Sequence, residues 1–579
     1  MKDFIPQKLY TEEGESLSGV PWNVYPRPQF VRKDWICLNG EWSFCFEGSE
    51  PASILVHFCP ESLLSGYQGK VEYGRKMTYE RTFSVPESWR GRRIILHFGA
   101  VSRHTQVFIN GIKAAAGENG YLPVSADITD ALIQGENRLK VIAVNDLSTQ
   151  YPYGKQKKDR GGMWYTPVSG IWQSVWLEPV PEKHIEGISI RPDLKGADIE
   201  VYGASEGKVF FEGREQLYSG GHIRLVPSSP RLWTPEDPYL YRFTITSGED
   251  EVESYFALRT ISKKTVDGIP RICLNDKPYY FNGLLDQGYF SDGIYTPASA
   301  QLYANDIKKL KELGFNTLRK HIKIEPLVFY YECDRLGMIV FQDMVNNGIY
   351  SFRRDTLRPT IGLKKINDAH TNTDPRSRQI FLESMEKTVE HLRNCPSIVL
   401  WTIFNEGWGQ FRADEAYDVL KSLDPSRLID STSGWFHQKK TDVDSLHIYF
   451  GKLKLGKRRD LPQLLSEFGG YVLKIEGHSY NPLKTYGYKL FKERSDYVNA
   501  FRKVYLEELA PLAGQGLCGS IYTQVSDVED ETNGIFTYDR KVCRLEPSDT
   551  EGIAEALSGS ILNKPAFNDK IKAKKQQTK

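Results

Sequence analysis

Two glutamates stand where a pair of catalytic carboxylates could meet. The apolar run 397–404 ends in Asn405-Glu406-Gly407-Trp408, and the run 463–465 ends in Ser466-Glu467-Phe468-Gly469-Gly470. A strand as apolar as the first is buried on both faces, which leaves its terminal polar residues at the rim of a sheet. Taken singly, a glutamate at a strand end is ordinarily a solvated charge. A pair is different, because cleavage of a glycosidic bond needs two carboxyl groups flanking it. At a separation of roughly 5–5.5 Å one of them attacks the anomeric carbon directly, and no room is left for an inverting water.

Something must hold two such strand ends across a common mouth. After about Lys263 the chain offers eight short apolar runs, YYFNGLL, FNTLRKH, MIVFQDM, SIVLWTIF, RLIDSTS, DSLHIYF, QLLSEFG and GSIYTQV. Amphipathic stretches separate several of them, among them AQLYANDIKKLKELG, EPLVFYYECDRLG and RQIFLESMEKTVEHLRN, each ending near Gly or Asn as helices do. Eight buried strands with helices over roughly 300 residues is the arithmetic of a (β/α)8 TIM barrel, whose catalytic groups stand at the C-terminal ends of strands. Glu406 ends the fourth run and Glu467 the seventh. A doubly wound open sheet is the competing fold, but it would bring a phosphate-binding glycine turn. The nearest candidate, Glu406-Gly407-Trp408-Gly409, lacks the third glycine and a following helix.

Ahead of the barrel, residues 35–181 read as short β runs separated by turns, the pattern of an all-β sandwich. Asn110-Gly111 inside TQVFINGIKAA is a two-residue hairpin signal, since both residues tolerate positive φ. Residues 182–262 continue with GISIRPDL, GKVFFEG, YRFTITS and VESYFALR, enough for a second small sandwich. The expected division is therefore 1–181, 182–262 and 263–579, the last closing on the basic tail KIKAKKQQTK, read as a solvated terminus.

Composition narrows the ligand. Lys and Arg number 75 against 74 Asp and Glu, a net charge of +1, which gives no long-range field for nucleic acid or an anionic membrane. The N-terminal MKDFIPQKLYTEEGESLSG lacks an apolar signal core and no run approaches a membrane span, so the expected location is cytoplasmic. The eight cysteines are scattered without C-x-x-C spacing and are expected as free thiols. The 11 histidines form no H-E-x-x-H or similar cluster, so no metal ligand set and no required cofactor are expected. The acidic loop Asp527-Val528-Glu529-Asp530-Glu531 is the one place that invites a structural divalent cation, but without ligand spacing it reads as a solvated loop.

With these residues in hand the chain resembles glycoside hydrolase family 2, the family of β-galactosidases, β-glucuronidases and β-mannosidases, over nearly its whole length. WTIFNEGWGQF resembles the acid/base motif and LLSEFGG the nucleophile motif, which implies those roles for Glu406 and Glu467. The same resemblance implies substrate contacts for Asn405, His447 and Tyr449 (HIY), and for Arg319 and His321 (NTLRKHIKIEP). YERTFSVPESWRGRRIILHFGAV, WYTPVSGIWQSVWLE and LWTPEDPYLY resemble the family's sandwich domains and imply a jelly-roll domain, an immunoglobulin-like domain and the barrel, in that order. Two departures bear on substrate: Gln342-Asp343-Met344 replaces the Asp-Glu-Ala-Asn of many members, and YTQVSD lacks a tryptophan that many carry.

The implied mechanism is double displacement. Glu406 needs a raised pKa, expected from burial near Trp408 and from the charge on Glu467, and Glu467 needs a donor such as Arg319 or Tyr449. Asn405 is expected to bond the sugar 2-hydroxyl, and Trp408 and Trp435 to offer a sugar platform, with core filling as the plainer role for the two rings. The expected partner is a small glycoside or oligosaccharide, with a homo-oligomer left open. Family glucuronidases carry an Asn-x-Lys clamp after the nucleophile; here Asn481 and Lys484 are three apart, which favours a neutral β-galactoside over a β-glucuronide. Lys320 and Lys323 are the other cations near the mouth, equally readable as solvated rim lysines. Two other classes compete: a silent carbohydrate-binding protein, which would not need paired acids, and a phosphate-handling barrel, which would need more glycine than Gly469-Gly470 after strand seven.

Overall fold

The computed structural model describes residues 6–562, so the basic tail lies outside the described residues. The first domain is an antiparallel sandwich in which a six-stranded sheet packs on a four-stranded one. Trp42, Phe44, Tyr79, Leu96, Phe98, Val107 and Val141 fill the space between them. Alternation does this: Gly40–Phe46 buries every second residue and sends the others to solvent. Asn110 (φ 51°) and Gly111 (φ 86°) make the tight turn joining His104–Ile109 to Ile112–Gly117. A second, seven-stranded antiparallel unit runs from Gly187–Pro192 to Asp250–Phe256 around its own core, which includes Ile199, Phe243 and Phe256.

The third domain is an eight-stranded parallel barrel. Its strands are β1 Phe281–Asp286, β2 Thr317–Lys320, β3 Ile339–Asp343, β4 Ile398–Asn405, β5 Leu428–Ser433, β6 Asp444–Ile448, β7 Gln463–Gly469 and β8 Leu517–Thr523. All eight coincide with the expected apolar runs to within two residues at either end, because strands covered on both faces are continuously hydrophobic; β4 is buried at every residue. Ladders run in the order β5-β4-β3-β2-β1-β8-β7-β6. Side chains help close the circle, with Ser445 Oγ donating to Asp430 Oδ1 at 2.9 Å.

Helices Gln301–Glu312, Leu327–Leu336, Pro375–Leu392 and Ala413–Leu423 follow β1 to β4. The third starts on Asp374, whose carboxylate accepts from Arg376 N and Ser377 N, with Pro375 in the first turn. The second stops at Gly337 in the left-handed region. The alternation then breaks, since no helix separates β5 from β6 or β6 from β7. After β5 the chain folds back on the strand itself, Asp442 N donating to Ile429 O at 2.8 Å and Ile429 N to Asp442 Oδ2 at 3.0 Å. No helix among the described residues is long and apolar enough to cross a membrane.

The sandwich loop 145–169 reaches over the barrel mouth. Tyr153 N donates to Asn346 O and Tyr153 OH to Gly348 O, both at 3.0 Å. The acidic loop after β8 clasps it from the other side: Glu529 accepts from Arg160 at 2.8 Å and Thr166 N at 2.9 Å, and Glu531 accepts from Tyr165 OH. Asp527 is paired with Arg544 at 2.7 Å, and Asp530 accepts from Asn481 at 2.7 Å. These four acids are buried, so the expectation of a solvated loop is corrected. Each carboxylate is already held by a donor from the protein.

Candidate active site

β4 and β7 deliver the two glutamates to one mouth. An oxygen of Glu406, an oxygen of Glu467 and a ring nitrogen of His447 lie within 4.8 Å of one another. Glu406 comes just after β4 with φ 51°, a left-handed backbone costly for a side-chain-bearing residue and held by Glu406 N donating to Ser433 O at 3.0 Å. The glycines after it serve the same turn. A Cβ on Gly407 would meet the Phe436 ring at 2.4 Å, and one on Gly409 would meet Asn347 O at 2.1 Å. Close backbone approach, and not phosphate binding, explains this glycine pair.

Arg319 is the hub. Its Nε donates to Asp343 Oδ1 at 3.0 Å, Nη1 to Glu467 Oε1 and to Ser466 O at 3.0 Å, and Nη2 to Asn405 Oδ1 at 2.8 Å, with Asp343 Oδ2 3.0 Å from Nη2 as an ion pair. The guanidinium is thus enclosed by protein acceptors on every side and is 1% exposed. Arg319, expected as a substrate contact, is buried here against Asp343, Ser466, Glu467 and Asn405, which it holds in place. His321 is likewise buried, with Nδ1 2.7 Å from Asp343 Oδ2 and its pKa pushed down to about 3 by burial.

Asn405 gives its oxygen to Arg319 and keeps a buried Nδ2 with no partner, a donor free for a sugar oxygen. His447 places Nδ1 2.8 Å from Glu406 Oε1, with Arg319 Nη1 3.4 Å from Nε2. Ser433 Oγ lies 3.2 Å from the same Nε2, and burial pushes this imidazole down to about 3, so it is neutral at pH 7. Tyr449 OH donates to Glu467 Oε2. His447 and Tyr449, expected as sugar contacts, thus serve the carboxylates. Trp408 is 1% exposed, stacked on Trp164 of the sandwich loop at 5.3 Å, so it is no open platform; its Nε1–H is buried without a partner. Trp435 is half-buried at the mouth, its Nε1 donating to Glu406 O at 3.1 Å.

The two environments differ. Burial pushes the Glu406 carboxyl up to about 7 and Asp355 adds to this, against Lys155, Arg319 and Lys364. Burial also raises Glu467, but the Arg319 guanidinium and the Tyr449 hydroxyl hold its charged form. Of the pair, Glu467 carries the charge and Glu406 the proton.

Sequence reasoning missed Lys155, Trp164 and Asp343. The first two arrive from another domain, on a 145–169 segment whose length without helix or named strand was the available signal. It also misjudged Lys320 and Lys323. Both are 1% exposed and locked onto Asp286 and Glu325 at 2.6–2.9 Å, so neither is a rim lysine nor free for a sugar. Asn481 caps its own turn by accepting from Leu483 N and Lys484 N.

Profiles of known families cover the three domains. The one described as "Glycosyl hydrolases family 2, TIM barrel domain" matches residues 267–542. The sugar binding domain of that family matches 70–181, and "Glycosyl hydrolases family 2" matches 183–259. The chain belongs to glycosyl hydrolases family 2. Among curated relatives, the beta-galactosidase of Pseudoalteromonas haloplanktis is 25% identical over 405 residues, 63% of this chain and 36% of that protein. The beta-galactosidase of Lactococcus lactis is 26% identical over 455 residues, 73% of this chain and 42% of that protein. The chain thus matches about two-fifths or less of these relatives' length. Among solved structures, the beta-D-glucuronidase of Dictyoglomus thermophilum superposes with a TM-score of 0.71 at 18% identity, covering 94% of this chain and 99% of that one. The beta-galacturonidase of Eisenbergiella tayi, bound to galacturonate, gives 0.67 at 20% identity, covering 92% and 99%. Both share its fold.

Proposed function

We propose that this chain is a retaining exo-β-glycosidase that needs no cofactor. The observation that carries this reading is the pair Glu406 and Glu467, with oxygens no more than 4.8 Å apart and unequal donors. An inverting enzyme holds its carboxyl groups roughly 6.5–9.5 Å apart to admit water between them. Glu467, charged and held by Arg319 and Tyr449, attacks the anomeric carbon, while protonated Glu406 gives its proton to the leaving oxygen. When the ester forms, the charge on Glu467 disappears and Glu406 becomes easier to ionise. It then takes the proton of the water that releases the sugar. The Asn405 amide is suited to the 2-hydroxyl. Trp164, Tyr350 and Trp408 pack together beside the mouth, which suits removal of a terminal sugar.

The names of similar proteins divide between beta-galactosidase and enzymes of uronides. A neutral β-galactoside fits the missing Asn-x-Lys. A second reading, an acidic sugar, is favoured by Lys155, a buried cation at the mouth. Eight unpaired cysteines support a cytoplasmic setting. The test is a 2-deoxy-2-fluoro glycoside with peptide mapping, together with NMR of the first-formed anomer. Labelling of Glu467 and a β-anomer are expected; a label on another carboxylate, or an α-anomer from a β-glycoside, rejects the reading.

A further inference from the structure

Three lysines are buried among the described residues, and two of them are paired with carboxylates. The third, Lys155, is 7% exposed, yet its ammonium makes no ion pair or hydrogen bond among the described residues. An ammonium withdrawn from water is costly unless an anion meets it. The chain nonetheless fixes this one from both sides. Tyr153 N donates to Asn346 O and Tyr165 N to Lys155 O, each at 3.0 Å, and Gln156 Nε2 donates to Tyr121 OH at 2.8 Å. The clasp of Glu529 and Glu531 on the same loop adds a further anchor.

What Lys155 faces is the mouth. Its Nζ stands 5.7 Å from the ring centres of Tyr165 and Trp408. Among the neighbouring charges it acts most strongly on Glu406, and it also reaches Glu467 and His321. During turnover neither glutamate can answer it for long, since Glu406 begins protonated and Glu467 becomes an ester. Beside it, Trp408 Nε1 is a buried donor without a partner. A cation beside an open N–H donor is a surface for an anion-bearing ligand.

We propose that Lys155, delivered to the barrel mouth by the sandwich domain, selects substrates whose sugar carries an anionic group, a carboxylate or a sulfate ester. The proposal rests on the glycosidase reading only in taking the ligand to be a sugar. Its test is calorimetric binding of glucuronate, galacturonate and galactose 6-sulfate against glucose and galactose, using the full chain and its K155M and K155R variants. At least one acid should bind about tenfold or more tighter than its neutral counterpart. K155M should erase that preference by weakening the acid about tenfold more than its neutral counterpart, and K155R should keep part of it. Preference for the uronates or for the sulfate decides between the two anions. If no acid is preferred, or K155M weakens acidic and neutral sugars alike, the proposal is overturned. Turnover of the nitrophenyl β-glycosides of the same sugars separates the two ideas. An acid preference without any turnover sinks the glycosidase reading alone, and turnover without preference sinks this one alone.

Discussion

Glu406 and Glu467 share one rim, yet the two strands present them differently. β4 ends before Glu406, which leaves the strand on a left-handed φ of 51° and meets one neutral hydrogen-bond partner, His447. Glu467 lies within β7, where the ladder to β8 is irregular between Leu465 and Phe468, and it meets a guanidinium and a phenol. Identical side chains thus receive opposite proton occupancies from their donors. Role here follows from where Arg319 is placed, on Glu467 and not on Glu406.

Removing the charged member should have the largest effect. Glu467→Gln should lower kcat on a nitrophenyl glycoside by roughly 10⁴-fold or more, with the circular dichroism spectrum unchanged. A loss of only tenfold would mean that another group attacks.

Glu406→Ala should depend on the leaving group. Alkyl glycosides should lose about 10²–10⁴-fold, and dinitrophenyl glycosides much less, because a good leaving group needs little protonation. Equal losses on both would erase the distinction between the two strands.

Tyr449→Phe weakens only the Glu467 side. Losing a hydrogen bond to a charged group should cost about tenfold to a hundredfold in kcat/KM. It should also move the acidic limb of the pH profile upward, since the carboxylate loses a donor that favours its charged form. The alkaline limb, set by Glu406 near pH 7, should stay in place. Movement of both limbs together would show that the pair does not divide its roles as described.

Much of this was legible in the chain. Strands buried on both faces must be written as apolar runs, so the barrel could be counted, and its strand ends pointed to Glu406 and Glu467. What was not legible depends on partners far away in sequence. Asp527-Val528-Glu529-Asp530-Glu531 reads as a solvated acidic stretch until Arg160 and Tyr165, more than 360 residues away, are seen to bond it. Lys320 and Lys323 read as rim cations because Asp286 and Glu325 cannot be recognised as their partners from spacing. Lys155 is harder still, because its meaning exists only once the sandwich loop has docked on the barrel.

The smallest effect concerns stability and tests the proton on Glu406 without substrate. Its folded pKa of about 7 lies above the ordinary 4.5, so between these values the folded state binds more protons than the unfolded one. Stability therefore falls as pH rises through that window, and the full penalty applies above it. Glu406→Gln keeps an amide that can bond His447 Nδ1 in either tautomer but cannot ionise. With a side chain 13% exposed, the variant should be more stable than the parent at pH 8 by on the order of 1–3 kcal/mol. The gap should close as pH falls below about 4.5, where both states of the parent are protonated. Denaturation midpoints of the two proteins at several pH values measure it. A variant less stable than the parent at pH 8 would instead mean that ionised Glu406 is held as a partner of Lys155, and the contrast between the two strands would narrow.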